Sequence, residues 1–166
     1  MLSRVKSLPC NSEFSYIKVY LPDSTIFLMD SLMNVVLYQK TGISGVGVSF
    51  ADQSTDFDIE IDIRDGRRPS DLTKFLFSGD YRFLTQNLDT PQSYYYGVDL
   101  KLANRSNDNW FVIHTSNQSN NFTISGVSGQ ALLVRVCGSF DVLFDDTRTG
   151  KLVPATGEFE FDVALL

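Results

Sequence analysis

In the segment Asp56-Phe57-Asp58-Ile59-Glu60-Ile61-Asp62-Ile63 every second residue is acidic and the residues between are apolar. Successive strand side chains point to opposite faces, so this pattern predicts a strand with one wet face and one core face. The alternation returns at the C-terminus, where Phe159, Phe161, Val163 and Leu165 interleave with Glu158, Glu160, Asp162 and Ala164. Residues 132–144 split the same way. Leu132, Val134, Val136, Gly138, Phe140, Val142 and Phe144 share one phase, and Leu133, Arg135, Cys137, Ser139, Asp141 and Leu143 the other, with Gly138 marking a place for a bend. The turn formers of Asp145-Asp146-Thr147-Arg148-Thr149-Gly150-Lys151 lie between the last two strands and predict that they pair as an antiparallel hairpin.

Shorter strand patterns occupy Phe14 to Tyr20, Thr25 to Met29, Asn34 to Gln39, Val46 to Phe50, Tyr81 to Leu84, Tyr94 to Leu102, Trp110 to Thr115 and Phe122 to Ser125, separated mostly by polar or glycine-bearing turns. Such a succession predicts an all-β fold, an antiparallel barrel of about 8–10 strands, with a β-sandwich or jelly roll as the alternative. At most one short helix fits, near 70–77, where Ser70 or Asp71 can cap and Leu72, Phe75 and Leu76 have helical spacing. With no repeat or linker, the chain of 166 residues reads as residues 1–13, an N-terminal extension, followed by a single barrel-like domain over 14–166.

Composition sharpens this picture. Fourteen basic against twenty acidic side chains give a formal charge of -6, which repels polyphosphate and argues against nucleic acid as a partner. The longest apolar candidate, Ile26 to Tyr38, is interrupted by Asp30, Ser31 and Asn34, short of the roughly 18 residues a spanning helix needs; no transmembrane segment is expected. Met1 to Cys10 carries Arg4 and Lys6 without the apolar stretch of a secretory signal. The expectation is therefore a cytoplasmic protein if Met1 is the native start, and an extracytoplasmic or cell-surface protein if a leader has been removed.

Catalytic chemistry finds little footing. His114 is the sole histidine and belongs to no nucleophile motif, while Glu158 and Glu160 are spaced as strand alternation alone produces. The expectation is a non-enzyme without a cofactor. The carboxylates Asp56, Asp58, Asp145 and Asp146 are the candidate ligands for a hard cation, although alternate residues of one strand stand about 7 Å apart and do not wrap an ion by themselves. Tyr94, Tyr96, Trp110 and Phe140 are the candidate ligand-binding aromatics: an apolar small molecule in a barrel, or a partner stacked on exposed rings, would use such side chains. The phase of Trp110 is not fixed by its strand.

Two cysteines are compatible with free thiols or with one bridge. Alternation puts Cys137 on the outward phase with Arg135 and Asp141, where it is either exposed or covered by another segment. The stretch carrying Cys10 is the obvious cover. A Cys10–Cys137 disulfide would be worth about 4–5 kcal/mol in the loop-entropy account.

The segments Gly79-Asp80-Tyr81-Arg82-Phe83, Phe122-Thr123-Ile124-Ser125, Gly138-Ser139-Phe140-Asp141-Val142, Thr149-Gly150-Lys151 and Gly157-Glu158-Phe159 together resemble the calycin-like (lipocalin-like) lipoprotein domains of unknown function from Bacteroidota. The resemblance covers residues 79–166. It implies a lipocalin-like barrel, an extracytoplasmic location and no assigned catalytic residue. The chain departs from the family at its start, where Cys10 follows Ser7-Leu8-Pro9 rather than a hydrophobic leader. Asp30-Ser31-Leu32 fits the O-glycosylation pattern of that phylum, with Ser31 as the acceptor. The leading expectation is thus a non-enzymatic barrel acting as a binding or accessory component of a bacterial cell-envelope assembly, with another protein as partner. A carrier of a small apolar ligand and a structural jelly-roll subunit of a viral or phage particle are the alternatives.

Overall fold

A computed structural model describes residues 10–29, 33–40, 43–51, 56–65, 76, 78–83 and 97–164. Among them there is no helix. Eleven strands follow one another: β1 (Tyr16–Tyr20), β2 (Thr25–Met29), β3 (Met33–Lys40), β4 (Ile43–Ala51), β5 (Phe57–Asp65), β6 (Gly79–Tyr81), β7 (Gly97–Asn104), β8 (Asn109–Ile113), β9 (Asn121–Gln130), β10 (Leu133–Asp146) and β11 (Leu152–Ala164). The short helix expected near 70–77 falls outside the described residues except for Leu76, which is buried in the core.

One sheet contains all eleven strands, nine of them in the order β2-β1-β11-β10-β8-β7-β5-β4-β3 and the other two, β9 and β6, branching from β10. It is nearly closed, and chain connectivity shows why. β2 and β3 stand at opposite ends of this path, yet Met29 and Met33 are only four residues apart, a reach of at most about 14 Å. The sheet must therefore curl until its ends meet. β2 lies against β4 at this seam.

β10 is the spine of the barrel. One side pairs with β11 along its length, from Leu133↔Ala164 to Asp145↔Leu152, so the expected C-terminal hairpin is present. The other side is shared: Leu133–Asp141 pair with β9, and Phe144–Asp146 with β8. β9 in turn carries β6, and Phe83 makes an isolated parallel bridge to Val98, which returns the wall to β7. The irregularity expected at Gly138 is found on the partner. Cys137 faces Gly126 and Gly138 faces Ile124, so the extra residue, Ser125, belongs to β9 while β10 keeps its phase.

The interior is packed from the phases read in the sequence. Ile59, Ile61 and Ile63 of β5, Val134, Val136, Phe140, Val142 and Phe144 of β10, and Phe159, Phe161 and Val163 of β11 are all buried. Large and small residues oppose each other across the hairpin, Phe140 with Gly157 and Gly138 with Phe159. A Cβ on Gly157 would collide with the Phe140 ring, and one on Gly138 would come within 2.6 Å of the Phe159 ring. Each ring fills the volume its glycine leaves, and Phe122, Phe159 and Phe161 stack in sequence with centroids 5.0 and 5.5 Å apart.

Candidate functional site

Two features of the outer wall stand apart from an ordinary solvated sheet face. The first is a strap. Residues Cys10 to Ser15 precede β1 and cross the outside of β10 and β11, where Cys10 and Cys137 form a disulfide with Cα atoms 5.6 Å apart. Cys137 keeps the outward phase of Arg135 but is covered, only 9% exposed.

Beneath the strap lies a charged cluster. The hairpin register places Glu160 opposite Cys137 and Asp162 opposite Arg135. The Glu160 carboxylate is 4% exposed, and a charge so removed from water must be paired and hydrogen-bonded. Arg135 Nε donates to Glu160 Oε1 at 2.6 Å, and the backbone N–H of Ser12 donates to both carboxylate oxygens at 3.0 and 3.2 Å. The remaining arms of the guanidinium reach Asp162 at 3.0 Å and the carbonyls of Ser12 and Phe14 at 2.8 and 2.9 Å. Burial disfavours the Arg135 cation, but its hydrogen bonds to Glu160 and Asp162 outweigh that and hold its pKa above the ordinary value. One fork thus grips both the strap and the sheet.

The strap buries almost no apolar surface of its own. Asn11, Glu13 and Phe14 are exposed, and only Ser15 is buried. Ordering each strap residue costs roughly 1–2 kcal/mol, comparable to the roughly 1.5–3 kcal/mol from each charged hydrogen bond. The non-covalent contacts and the ordering cost are thus of the same order, and the disulfide adds to the contacts.

The second feature is an aromatic face. β1 and β2 pair in register Tyr16↔Met29, Lys18↔Phe27, Tyr20↔Thr25. Ile17, Val19, Ile26 and Leu28 point inward and are buried, so Tyr16, Phe27 and Met29 point outward. Phe14 of the strap extends this row, with its ring 6.0 Å from Tyr16, itself 5.8 Å from Phe27. Phe14, Phe27, Met29 and Tyr20 remain about 40% exposed. Lys18 Nζ sits 5.0 Å above the Tyr20 ring, and Glu158 faces Lys18 from β11. Partial burial, then the Glu158 and Glu160 carboxylates, raise the Tyr16 pKa and keep its hydroxyl protonated.

The residues singled out from the sequence are dispersed. Trp110 is 41% exposed on the outer wall, whereas Phe140 is inside against Gly157; the barrel does not bring these two together. Tyr94, Tyr96 and Ser31 lie outside the described residues. The four carboxylates considered for a cation also stay apart, because β7 and β8 separate β5 from β10, a span of about 14 Å. Asp58 faces Arg105 at 3.3 Å, and Asp145 takes His114 Nδ1 at 3.0 Å on both oxygens. Asp146 shapes the last turn, accepting from Asn109 Nδ2 at 2.9 Å and from the N–H groups of Arg148 and Thr149 at 2.9 and 3.1 Å. Desolvation pushes the Asp146 carboxyl up, but these hydrogen bonds prevail and hold its pKa below the usual carboxylate value. Among the described residues no three His, Cys, Asp or Glu side chains converge as metal ligands.

The sequence reading missed both the aromatic face and the buried Glu160. β2 is apolar on both phases, so alternation could not orient it. The hairpin register about residues 147–150 does place Glu160 opposite Cys137, and that signal was available. Searches against protein-family models, curated proteins and solved structures find no match.

Proposed function

We propose that this chain is a non-enzymatic β-barrel binding domain, an accessory component of a bacterial cell-envelope assembly, and that it engages a partner protein through the outer aromatic face of β1 and β2. The observation that carries this reading is the contiguous outward row in which half-buried Tyr16 joins the exposed Phe14, Phe27 and Met29. Large apolar side chains gathered on one surface mark an interaction site, and aromatic anchors dominate such sites energetically.

The polar clusters support a binding role over a catalytic one, since their hydrogen bonds serve the chain's own architecture. His114 and Asp145 hold each other, while Asn120 bridges the carbonyl of His114 and the N–H of Leu143. The Cys10–Cys137 disulfide supports an oxidising, extracytoplasmic compartment, as does the resemblance of residues 79–166. The interior packing of Phe140 on Gly157 and of the Phe122–Phe159–Phe161 stack favours binding at the surface over carriage of an apolar ligand inside.

Site-specific photocrosslinking in the native host tests this reading. A photoreactive residue at Phe27 should give one discrete adduct with an envelope protein, and Tyr16→Ala should abolish it. The same residue at Arg148, in the exposed turn after β10, should give none. Equal labelling from the two positions would sink the proposal.

A further inference from the structure

We propose that residues 10–15 form a redox-latched strap, in which the Cys10–Cys137 disulfide holds Phe14 in the aromatic face and reduction releases it while the barrel stays folded. This regulation rests on the binding role proposed above for that face.

The latch is separate from the barrel it sits on. Core residues begin at Ile17, and β1 is held by ladders to β2 and β11 that do not involve the strap. The strap itself is fixed by the disulfide, by the Arg135 fork on the carbonyls of Ser12 and Phe14, and by the Ser12 N–H on Glu160. With the bond broken, the segment regains its chain entropy, and as it lifts water competes for the carbonyls of Ser12 and Phe14 and for Glu160. Phe14 then leaves Tyr16, and the Glu160 carboxylate opens to water. The aromatic face loses one end, while an acidic group appears beside it.

The chemistry is ordinary thiol–disulfide exchange with a dithiol reductant, the co-reactant required. Cys10 is the more exposed partner. A thiolate of the reductant attacks Cys10 Sγ, forming a mixed disulfide and expelling the Cys137 thiolate, which takes up a proton. The reductant's second thiolate then displaces Cys10, so the protein gains two electrons and two protons and the reductant becomes a disulfide. The Ser125 hydroxyl donates to the Cys137 carbonyl at 3.2 Å and lies 3.9 Å from Cys137 Sγ, so that rotation of its O–H turns the proton onto the departing thiolate. Ser125 is also the extra residue of the β9 bulge.

The test uses the full chain in three forms: oxidised, reduced with dithiothreitol, and the Cys10→Ser/Cys137→Ser variant. Chymotrypsin cleavage after Phe14 reads the strap without any partner. Reduced and variant proteins should be cut at least about tenfold faster than the oxidised form, since a latched segment is cut only from its open population. Their far-UV circular dichroism should match that of the oxidised protein. Equal cleavage in all three forms would overturn the proposal, because the Arg135 fork would then suffice. Loss of the β spectrum on reduction would also overturn it, since the bond would be a staple of the whole fold. Photocrosslinking from position 27 in the three forms then reads the regulatory step. An adduct that weakens on reduction supports it, an adduct of equal strength rejects it, and the absence of any adduct from the oxidised protein rejects the binding role instead.

Discussion

At the scale of single residues, Arg135 and Gly157 matter for opposite reasons. Arg135 neutralises a carboxylate that water cannot reach, so Arg135→Ala leaves Glu160 unpaired and should cost about 3 kcal/mol, the low end for breaking a buried pair. Replacing both partners, Arg135→Met with Glu160→Leu, should cost less than Arg135→Ala alone, and urea unfolding of the three proteins checks this. Gly157 is defined by what lies above it. The alanine methyl of Gly157→Ala meets the Phe140 ring and the Lys18 carbonyl at 2.8 Å, so overpacking should destabilise by about 1–3 kcal/mol. Adding Phe140→Leu should return part of that loss in a double-mutant cycle. Asp146 sets a pH dependence. Its folded pKa is depressed, so its contribution is present above the unfolded value of 3.8 and is lost as pH falls from there through the lower folded value. Asp146→Asn should therefore flatten the acid limb of stability below about pH 4, as thermal midpoints from pH 2 to 6 will show.

At the scale of elements, legibility followed whether a strand has one wet face. β5 and β11 alternate charge with hydrocarbon, so their inward sets, Ile59-Ile61-Ile63 and Phe159-Phe161-Val163, could be read directly and are buried. β2, Thr-Ile-Phe-Leu-Met, carries no charge on either phase, and only its pairing with β1 decides that Ile26 and Leu28 go in and Phe27 and Met29 go out. Two substitutions one residue apart expose that decision. Leu28→Ala removes a buried side chain and should cost about 2–5 kcal/mol, whereas Phe27→Thr gives up only the outward ring contact with Tyr16 and should cost no more than about 1 kcal/mol. Reversed magnitudes in urea unfolding would mean that β2 is turned over. The division of β10 between β9 and β8 was equally hidden, because period-two patterning fixes faces and says nothing about which strand lies alongside.

At the scale of the whole molecule, the sheet order depends on contacts far apart in the chain. β1 pairs with β11 across some 140 residues, as Tyr16 with Glu160 and Tyr20 with Thr156, a relation that no local pattern encodes. The disulfide has a similar span. It joins residues 127 apart, and it runs beside the ladders that bring the N-terminal and C-terminal strands together. Cross-linking so long a loop restricts chiefly the unfolded chain, a stabilisation of about 4–5 kcal/mol in the entropic account. Two measurable consequences follow from one cause. Reduction should lower the guanidinium midpoint, and it should raise the slope m, because an unfolded chain without the bridge expands and exposes more surface. Below the transition the native spectrum should be unchanged, since the ladders of β1 to β2 and β11 do not need the strap. A lowered midpoint at constant m would place the stabilisation in native contacts of the strap, with Arg135 and Glu160 as its source. An unchanged midpoint would mean that the bridge contributes nothing to global stability, leaving fastening of the strap as its only role.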